Sequence, residues 1–345
     1  MLKHLPPAYF ALVMATGIVS IAAHDFQLSV LAAGLFTFNL VAYAVLTGLT
    51  VLRAICYPRL FFADMTDHRL GPGFFTAVAG SCILGTQILL MTHSMALATV
   101  LLALGVALWI GLTYTIFTAF TVKRHKPPLE EGLTGAWLIA VVATQSIAVL
   151  AALIARHWPQ PHRLELNFFA LSMWLWGGVF CIRIVSLVFY HYNFFAFSPG
   201  DLTPPYWINM GAMAISTLAG ARLVQNTAEC AVPGLPAAVP QGVHGVLLGH
   251  RDVVDSHAAG AGHLAARVPA VSAALRSAVY DPLYWRAVLP LGMYTVATRH
   301  MAAALDLPFL DPLRPVVFVL ALAAWTLTFV GLPWELRKFV VPRPR

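Results

Sequence analysis

The sequence predicts an all-α integral membrane protein, and three observations support this fold class. Of the 345 residues, 59% are hydrophobic and only 10% are charged, and the mean hydropathy is +0.77. An average soluble domain carries about 25% charged residues, so this chain has too few charges to cover a soluble surface. The apolar residues also form long runs, and the basic residues cluster between these runs. We therefore expect the apolar surface to face lipid.

Nine apolar runs predict membrane-spanning helices, since a helix needs about 20 apolar residues to cross a bilayer. The first run is too long for the apolar core of a typical signal peptide, so we interpret it as a span. In chain order, the runs cover approximately residues 5–23, 28–53, 74–92, 95–121, 133–155, 167–190, 205–225, 283–304 and 313–335.

The basic residues predict how these spans are oriented, because Lys and Arg near span ends favour the cytoplasm. The richer positions are Lys3, Arg53, Arg59, Arg69, Lys123, Arg124, Lys126, Arg337, Lys338, Arg343 and Arg345. The opposite loops hold fewer, chiefly Arg156, Arg163 and Arg314. We therefore expect a multi-pass protein of the inner (plasma) membrane with both termini in the cytoplasm. That orientation requires an even number of spans, so nine is one short.

The missing span is expected within an anomalous segment, residues 226–276. No Phe, Trp or Tyr occurs from Ile208 to Val279, although aromatic residues make up 12% of the chain. A long soluble loop is one interpretation, but long structureless loops are uncommon in compact domains. The other interpretation is an out-of-frame segment: a one-nucleotide displacement permits an apolar, aromatic-rich span with a basic end. The segment contains His244, His250, His257 and His263, whose spacing fits neither a helical face nor a compact zinc site.

The spans alternate in character, which predicts helical hairpins repeated five times. Odd-numbered spans, such as MATGIVSIAA and IAVVATQSIAVLAA, mix Gly, Ala, Ser and Thr into the apolar run. Even-numbered spans, such as LLALGVALWIGLTYTIFTAF, are bulkier and more aromatic. Small residues allow close helix packing, and polar groups inside a membrane need a partner or a wet cavity. We expect the odd spans inside, around a pore or in plain helix packing, and the even spans towards lipid or neighbouring subunits.

Polar side chains within the odd spans are the candidates for contact with a transported solute. Asn209 is predicted either to hydrogen-bond a passing anion or to tie two helices, and Arg299 either to attract anions or to reach the membrane surface. Pro290 removes a helical hydrogen bond and predicts a kink. The full set of pore or substrate candidates is Thr16, Thr86, Gln87, Thr144, Gln145, Asn209 and Arg299.

Other chemistry is not indicated by the sequence. No nucleophile and base arrangement, phosphate-binding loop or paired carboxylates stand out, and the basic residues do not form a patch typical of nucleic-acid binding. We expect no cofactor, no metal and no nucleic-acid partner. A membrane-embedded enzyme remains an alternative, and it would require His, Asp or Glu clustered at one membrane depth. A non-functional transporter, disrupted in its eighth span, is a further alternative.

The motifs PPAYFALVMATGIVSIA, ATQSIAVLAA, PPYWINMGAMAI and DPLYWRAVLPLGMYTVAT resemble the tellurite-resistance/C4-dicarboxylate transporter family. This family includes yeast malate transporters and plant slow-type anion channels. The resemblance covers most of the chain outside about 226–276.

The resemblance implies a single transporter domain over residues 1–345 with ten spans in five hairpins. It also implies an inner ring of odd spans around a central pore, and a homotrimer. The implied substrates are monovalent anions, malate-like dicarboxylates or, by association, tellurite. Family members place a gating phenylalanine before the proline of span nine. Leu289 stands at that gate position here, directly before Pro290.

Overall fold

A computed structural model describes residues 2–195, 208–229 and 284–340, and these residues contain helices joined by short connections. We number the α-helices in chain order. They are α1 Ala11–Asp25, α2 Ser29–Cys56, α3 Pro58–Met65, α4 Phe75–Thr92, α5 Met95–Val122, α6 Leu129–Gly132, α7 Leu138–Ala155, α8 His162–Phe194, α9 Ile208–Glu229, α10 Trp285–Leu305 and α11 Leu313–Val340.

Each of the nine apolar runs is a long helix, which confirms the all-α membrane fold. Seven helical stretches within the described ranges are long and apolar enough to cross a membrane, among them Pro7–Asp25 and Gly71–Thr92, which include short 3₁₀ turns. The helices α9 and α10 fall outside this set, although they have 22 and 21 residues. Both carry buried polar side chains, which are described below.

Five helices, α1, α4, α7, α9 and α10, form an inner ring in which each contacts the next and α10 returns to α1. Matched contacts at both ends show that α9 and α10 run in the same direction. Near their N-terminal ends, a Cβ on Gly211 would lie 3.3 Å from Pro290 Cγ. Near their C-terminal ends, Gln225 Nε2 donates to the His300 carbonyl oxygen at 3.2 Å. The same in-register pairing joins α10 to α1.

The remaining long helices, α2, α5, α8 and α11, lie outside this ring and expose apolar side chains. The buried shares are 78%, 83% and 100% in α1, α4 and α7, but 17%, 22%, 33% and 17% in α2, α5, α8 and α11. Small residues allow the inner helices to approach closely, whereas the bulky residues of the outer helices cover them. The predicted alternation of inner and outer spans is therefore confirmed for these helices.

Each outer helix in the described ranges also hydrogen-bonds the inner helix that follows it in the ring, through an aromatic side chain. Tyr43 of α2 bonds Ser81 of α4 at 2.8 Å, and Trp109 of α5 donates to Thr144 of α7 at 2.8 Å. Trp174 of α8 donates to the Ser216 carbonyl oxygen of α9 at 2.9 Å, and Trp325 of α11 donates to Thr16 of α1 at 3.0 Å. We call these four contacts the aromatic ties. They repeat the same link around the ring and satisfy polar groups that would otherwise face hydrocarbon.

The anomalous segment 226–276 lies mostly outside the described residues; only 226–229 belong to α9. Its out-of-frame interpretation therefore stays a prediction. The ends of the neighbouring helices nevertheless constrain the chain path. Since α9 and α10 run parallel and in register, the chain leaves α9 at one end of the ring and begins α10 at the other.

Candidate functional site

Two of the predicted pore residues, Thr16 and Thr144, face the outer helices. Both side chains are fully buried, and each hydroxyl accepts a hydrogen bond from the indole of an aromatic tie. Thr144 also donates to the Ala140 carbonyl oxygen one turn earlier. Because these bonds engage the hydroxyls away from the ring axis, the geometry favours helix packing as their role.

The predicted glutamines also make contacts with outer helices. Gln87 Oε1 accepts a hydrogen bond of 2.5 Å from Asn39 of α2, and Gln145 Nε2 donates to the Trp174 carbonyl oxygen of α8 at 3.1 Å. Thr86 donates to its own helix, at the Cys82 carbonyl oxygen. These contacts place both amides between the ring and its outer layer.

The predicted gate and kink lie in the first half of α10. Leu289 is 3% exposed and belongs to the continuous hydrophobic core, and Pro290 lies inside the helix next to Gly211 of α9. Asn209 is the second residue of α9. Its Oδ1 is buried and has no hydrogen-bond partner among the described residues. Its oxygen therefore ties no described helix.

Charged residues gather at the C-terminal end of the inner ring. Asp25, the last residue of α1, pairs with Arg299 of α10: Nη1 lies 2.6 Å from Asp25 Oδ1 and donates to the Asp25 carbonyl oxygen at 2.9 Å. A cavity of about 280 Å³ opens beside this pair and is lined by His24, Asp25, Gln27, Ser29 and Arg299. The predicted candidate Arg299 thus stands in a cavity wall, held by a carboxylate.

Arg222 of α9 extends this cluster into the protein. Its side chain is 7% exposed, and its Nε has no hydrogen-bond partner in the described ranges. Arg222 attracts Asp25 electrostatically and repels Arg299 and Arg156. His300 also lies within the field of these arginines, and its Nε2 is buried without a described partner. We call Asp25, Arg222, Arg299 and His300 the charged cluster.

The opposite end of the ring has a different construction. Short 3₁₀ turns at Pro7–Phe10, Gly71–Phe74 and Gly135–Trp137 lead directly into α1, α4 and α7, and successive turns touch one another. Parallel helix N-termini meet here, and each carries a partial positive charge of about half a unit. Buried Arg53 is paired with Asp64 at 2.5 Å, so this arginine has a structural partner at the same end.

Sequence reasoning identified Arg299 but missed Asp25 and Arg222. Asp25 follows the first apolar run and was not distinguishable from an ordinary loop carboxylate. Arg222 lies inside the run 205–225, where a charged residue is costly and signals a functional role. That signal was available, whereas the meeting of residues 25, 222 and 299 required the fold. No group of three or more metal-ligating side chains occurs in the described part of the chain.

These features define a multi-pass, all-helical membrane protein with an inner ring of five parallel helices and charged residues at one end of that ring. Comparison with known proteins agrees with this class. Residues 4–332 match the voltage-dependent anion channel family, and the chain belongs to that family.

Related proteins come from bacteria and archaea. The chain is 33% identical over 154 residues to an uncharacterized membrane protein of Mycobacterium tuberculosis strain H37Rv, covering 44% of this chain and 74% of that protein. It is 28% identical over 240 residues to an uncharacterized transporter of Methanocaldococcus jannaschii, covering 66% of each. A second uncharacterized transporter of that archaeon is 25% identical over 239 residues, covering 66% of this chain and 67% of the relative. Family membership and these relatives support anion transport as the general activity.

Proposed function

We propose that this protein carries small anions across the inner membrane through the centre of the five-helix ring. The single observation that carries the proposal is the closed ring of parallel inner helices in a chain of the voltage-dependent anion channel family. The proposed substrates are C4-dicarboxylates such as malate, or monovalent anions, with tellurite resistance as an associated phenotype. The gradient of the anion supplies the driving force.

The electrostatics of both ends of the ring support an anionic substrate. At one end, converging helix N-termini present partial positive charge. At the other end, the C-termini of the same helices would repel anions, but Arg222 and Arg299 lie there and offset this negative potential. An anion therefore meets a favourable field at each mouth of the path.

Leu289 is the proposed constriction of this path. Leu289 is buried in α10 and precedes Pro290, the only proline inside that helix. A leucine side chain closes a pore by excluding water, and the smaller contact area of an aliphatic group makes a looser seal than a phenylalanine would.

The proposed topology places both termini in the cytoplasm. The described chain begins and ends at the same end of the ring, because α11 runs antiparallel to α1: Phe318 stacks on Phe26, and Trp325 bonds Thr16. Lys123 lies at that end and donates to the Thr66 carbonyl oxygen. This concentration of basic residues favours the cytoplasmic side, so the charged cluster faces outward. We further propose that residues 1–345 form one transporter domain and assemble as a homotrimer.

Transport assays in liposomes test the proposal and distinguish its substrates. Purified protein is reconstituted, and uptake of radiolabelled malate, nitrate and chloride is compared with that of protein-free liposomes. We expect uptake of at least one of these anions, with competition by unlabelled anion. Uptake equal to that of protein-free liposomes for all three would contradict the proposal, as would enzymatic turnover of a lipid or quinone without anion flux. The mass of the purified protein in detergent tests the trimer.

A further inference from the structure

The charged cluster contains buried polar atoms that its own hydrogen bonds do not satisfy. Arg299 is satisfied by Asp25, but Asp25 Oδ2, Arg222 Nε and His300 Nε2 are buried without a hydrogen-bond partner among the described residues. Leaving such groups unpaired destabilises the folded protein, and more so when the group is charged. Several such atoms at one place are therefore available to hydrogen-bond a bound water or a ligand.

The balance of charge indicates the kind of ligand. Arg299 pairs with the Asp25 carboxylate, and Arg222 also attracts it electrostatically. Arg156 and Arg314 add further positive potential, although Arg314 itself pairs with Asp311 at 3.3 Å. The cluster thus has an excess of positive charge, and it adjoins the cavity of about 280 Å³ that Asp25 and Arg299 line. A guanidinium group binds carboxylates and other planar oxyanions well, because its N–H donors match their geometry.

We propose that Arg222 and Arg299 form a binding site for a small oxyanion, and that the Asp25 carboxylate is the resident counter-ion which the incoming anion displaces. This inference rests on the proposed anion transport and assigns its outward-facing binding site. Asp25 partly offsets the charge of the two arginines in the absence of ligand, and it lowers the affinity of the site because every bound anion must compete with it. A competing internal carboxylate also helps release, since it returns to the arginines as the anion leaves.

Replacing Asp25 should therefore raise the affinity for the anion, whereas the loss of a purely structural ion pair would not change that affinity. In Asp25→Asn, the carboxylate no longer competes, so an anion binds more tightly. In Arg222→Gln, one of the two cationic groups is lost, so the anion binds more weakly. A merely structural Asp25–Arg299 pair predicts lower basal stability in Asp25→Asn and no change in anion affinity.

The test measures thermal unfolding of the purified full-length protein in detergent over a series of sodium nitrate concentrations. A ligand that binds the folded state raises the unfolding temperature with a concentration dependence set by its dissociation constant. We expect nitrate to stabilise the wild-type protein. In Asp25→Asn the half-saturating nitrate concentration should fall about tenfold, the effect of a coupling of about 1.4 kcal/mol between the two anionic groups. In Arg222→Gln the nitrate-dependent shift should be lost.

Matched controls separate this site from general salt effects. Glu165→Gln removes a carboxylate whose side chain is 69% exposed, and Arg183→Gln removes a guanidinium from the exposed face of α8. Both should retain the wild-type nitrate response. An unchanged or weakened nitrate response in Asp25→Asn would overturn the proposal, as would an equal response in Arg222→Gln and Arg183→Gln.

The flux assay distinguishes failure of this site from failure of the transport function. Anion uptake by the wild-type protein, together with an unchanged nitrate affinity in Asp25→Asn, would refute the counter-ion and leave transport standing. Nitrate binding that depends on Arg222, in a protein without anion uptake, would refute transport and leave the binding site. Misfolding does not produce a gain of nitrate affinity, so a gain in Asp25→Asn cannot be attributed to damage to the fold.

Discussion

Gly292 of α10 lies at a close approach between two inner helices, and the structure predicts the effect of adding one methyl group there. A Cβ at this position would lie 2.6 Å from Ile18 Cγ2 and 3.4 Å from Val19 Cγ2, both on α1. The first distance is far below ordinary contact, so either the Ile18 side chain must move or α1 and α10 must separate. Overpacking of this kind costs about 1–3 kcal/mol.

The intrinsic helix preference of alanine works in the opposite direction and must be separated from this cost. Glycine is about 1 kcal/mol less favourable than alanine inside a helix. Gly111 of the outer helix α5 provides the matched control, because a Cβ there meets no heavy atom within 4 Å. The difference between Gly292→Ala and Gly111→Ala cancels the helix preference and leaves the clash of about 1–3 kcal/mol.

Unfolding by increasing SDS in mixed micelles measures this difference. We expect Gly111→Ala to be as stable as the wild-type protein or slightly more stable, and Gly292→Ala to be less stable than Gly111→Ala by the amount given above. Equal stability of the two variants would refute the close approach of α1 and α10, and with it the ring as the structure shows it.

Three further predictions concern the aromatic ties, the constriction and the anomalous segment. Trp109→Phe and Thr144→Val should each destabilise the protein, and a double-mutant cycle should give a coupling of about 0.6–1.5 kcal/mol. The absence of coupling would refute the hydrogen bond between the two side chains. Leu289→Ala should raise anion uptake several-fold by widening the constriction, whereas unchanged uptake would place the constriction elsewhere. Sequencing of the DNA across codons 224–282 should reveal a single-base insertion or deletion that a second change near the end compensates. If independent isolates all carry the reading frame of the present sequence without such a pair of changes, the out-of-frame interpretation is wrong.

The arrangement of inner and outer helices was predictable because composition reports burial directly. Helices that pack closely on several neighbours need small residues on all sides, and α7, whose residues are wholly buried, shows this in the run IAVVATQSIAVLAA. Helices that face lipid tolerate bulky side chains, as α5 does.

The direction of individual side chains was not predictable from the same composition. In a helix that is buried all round, hydroxyls such as those of Thr16 and Thr144 give no sign of which neighbour they face. The structure shows that their partners, Trp325 and Trp109, lie on outer helices. The charged cluster escaped prediction for a different reason, since it joins the ends of α1, α9 and α10, whose residues are far apart in the chain.

The diffusion potential across liposomes that contain the purified protein tests the central claim most directly. Liposomes are loaded with sodium nitrate and diluted into a medium of lower nitrate concentration, with sugar to balance the osmotic pressure. An anion-selective path lets nitrate leave faster than sodium, so the account predicts an interior that becomes positive, and a smaller response in Arg222→Gln than in Arg183→Gln. An interior that becomes negative, or a potential no larger than in protein-free liposomes, would contradict the account.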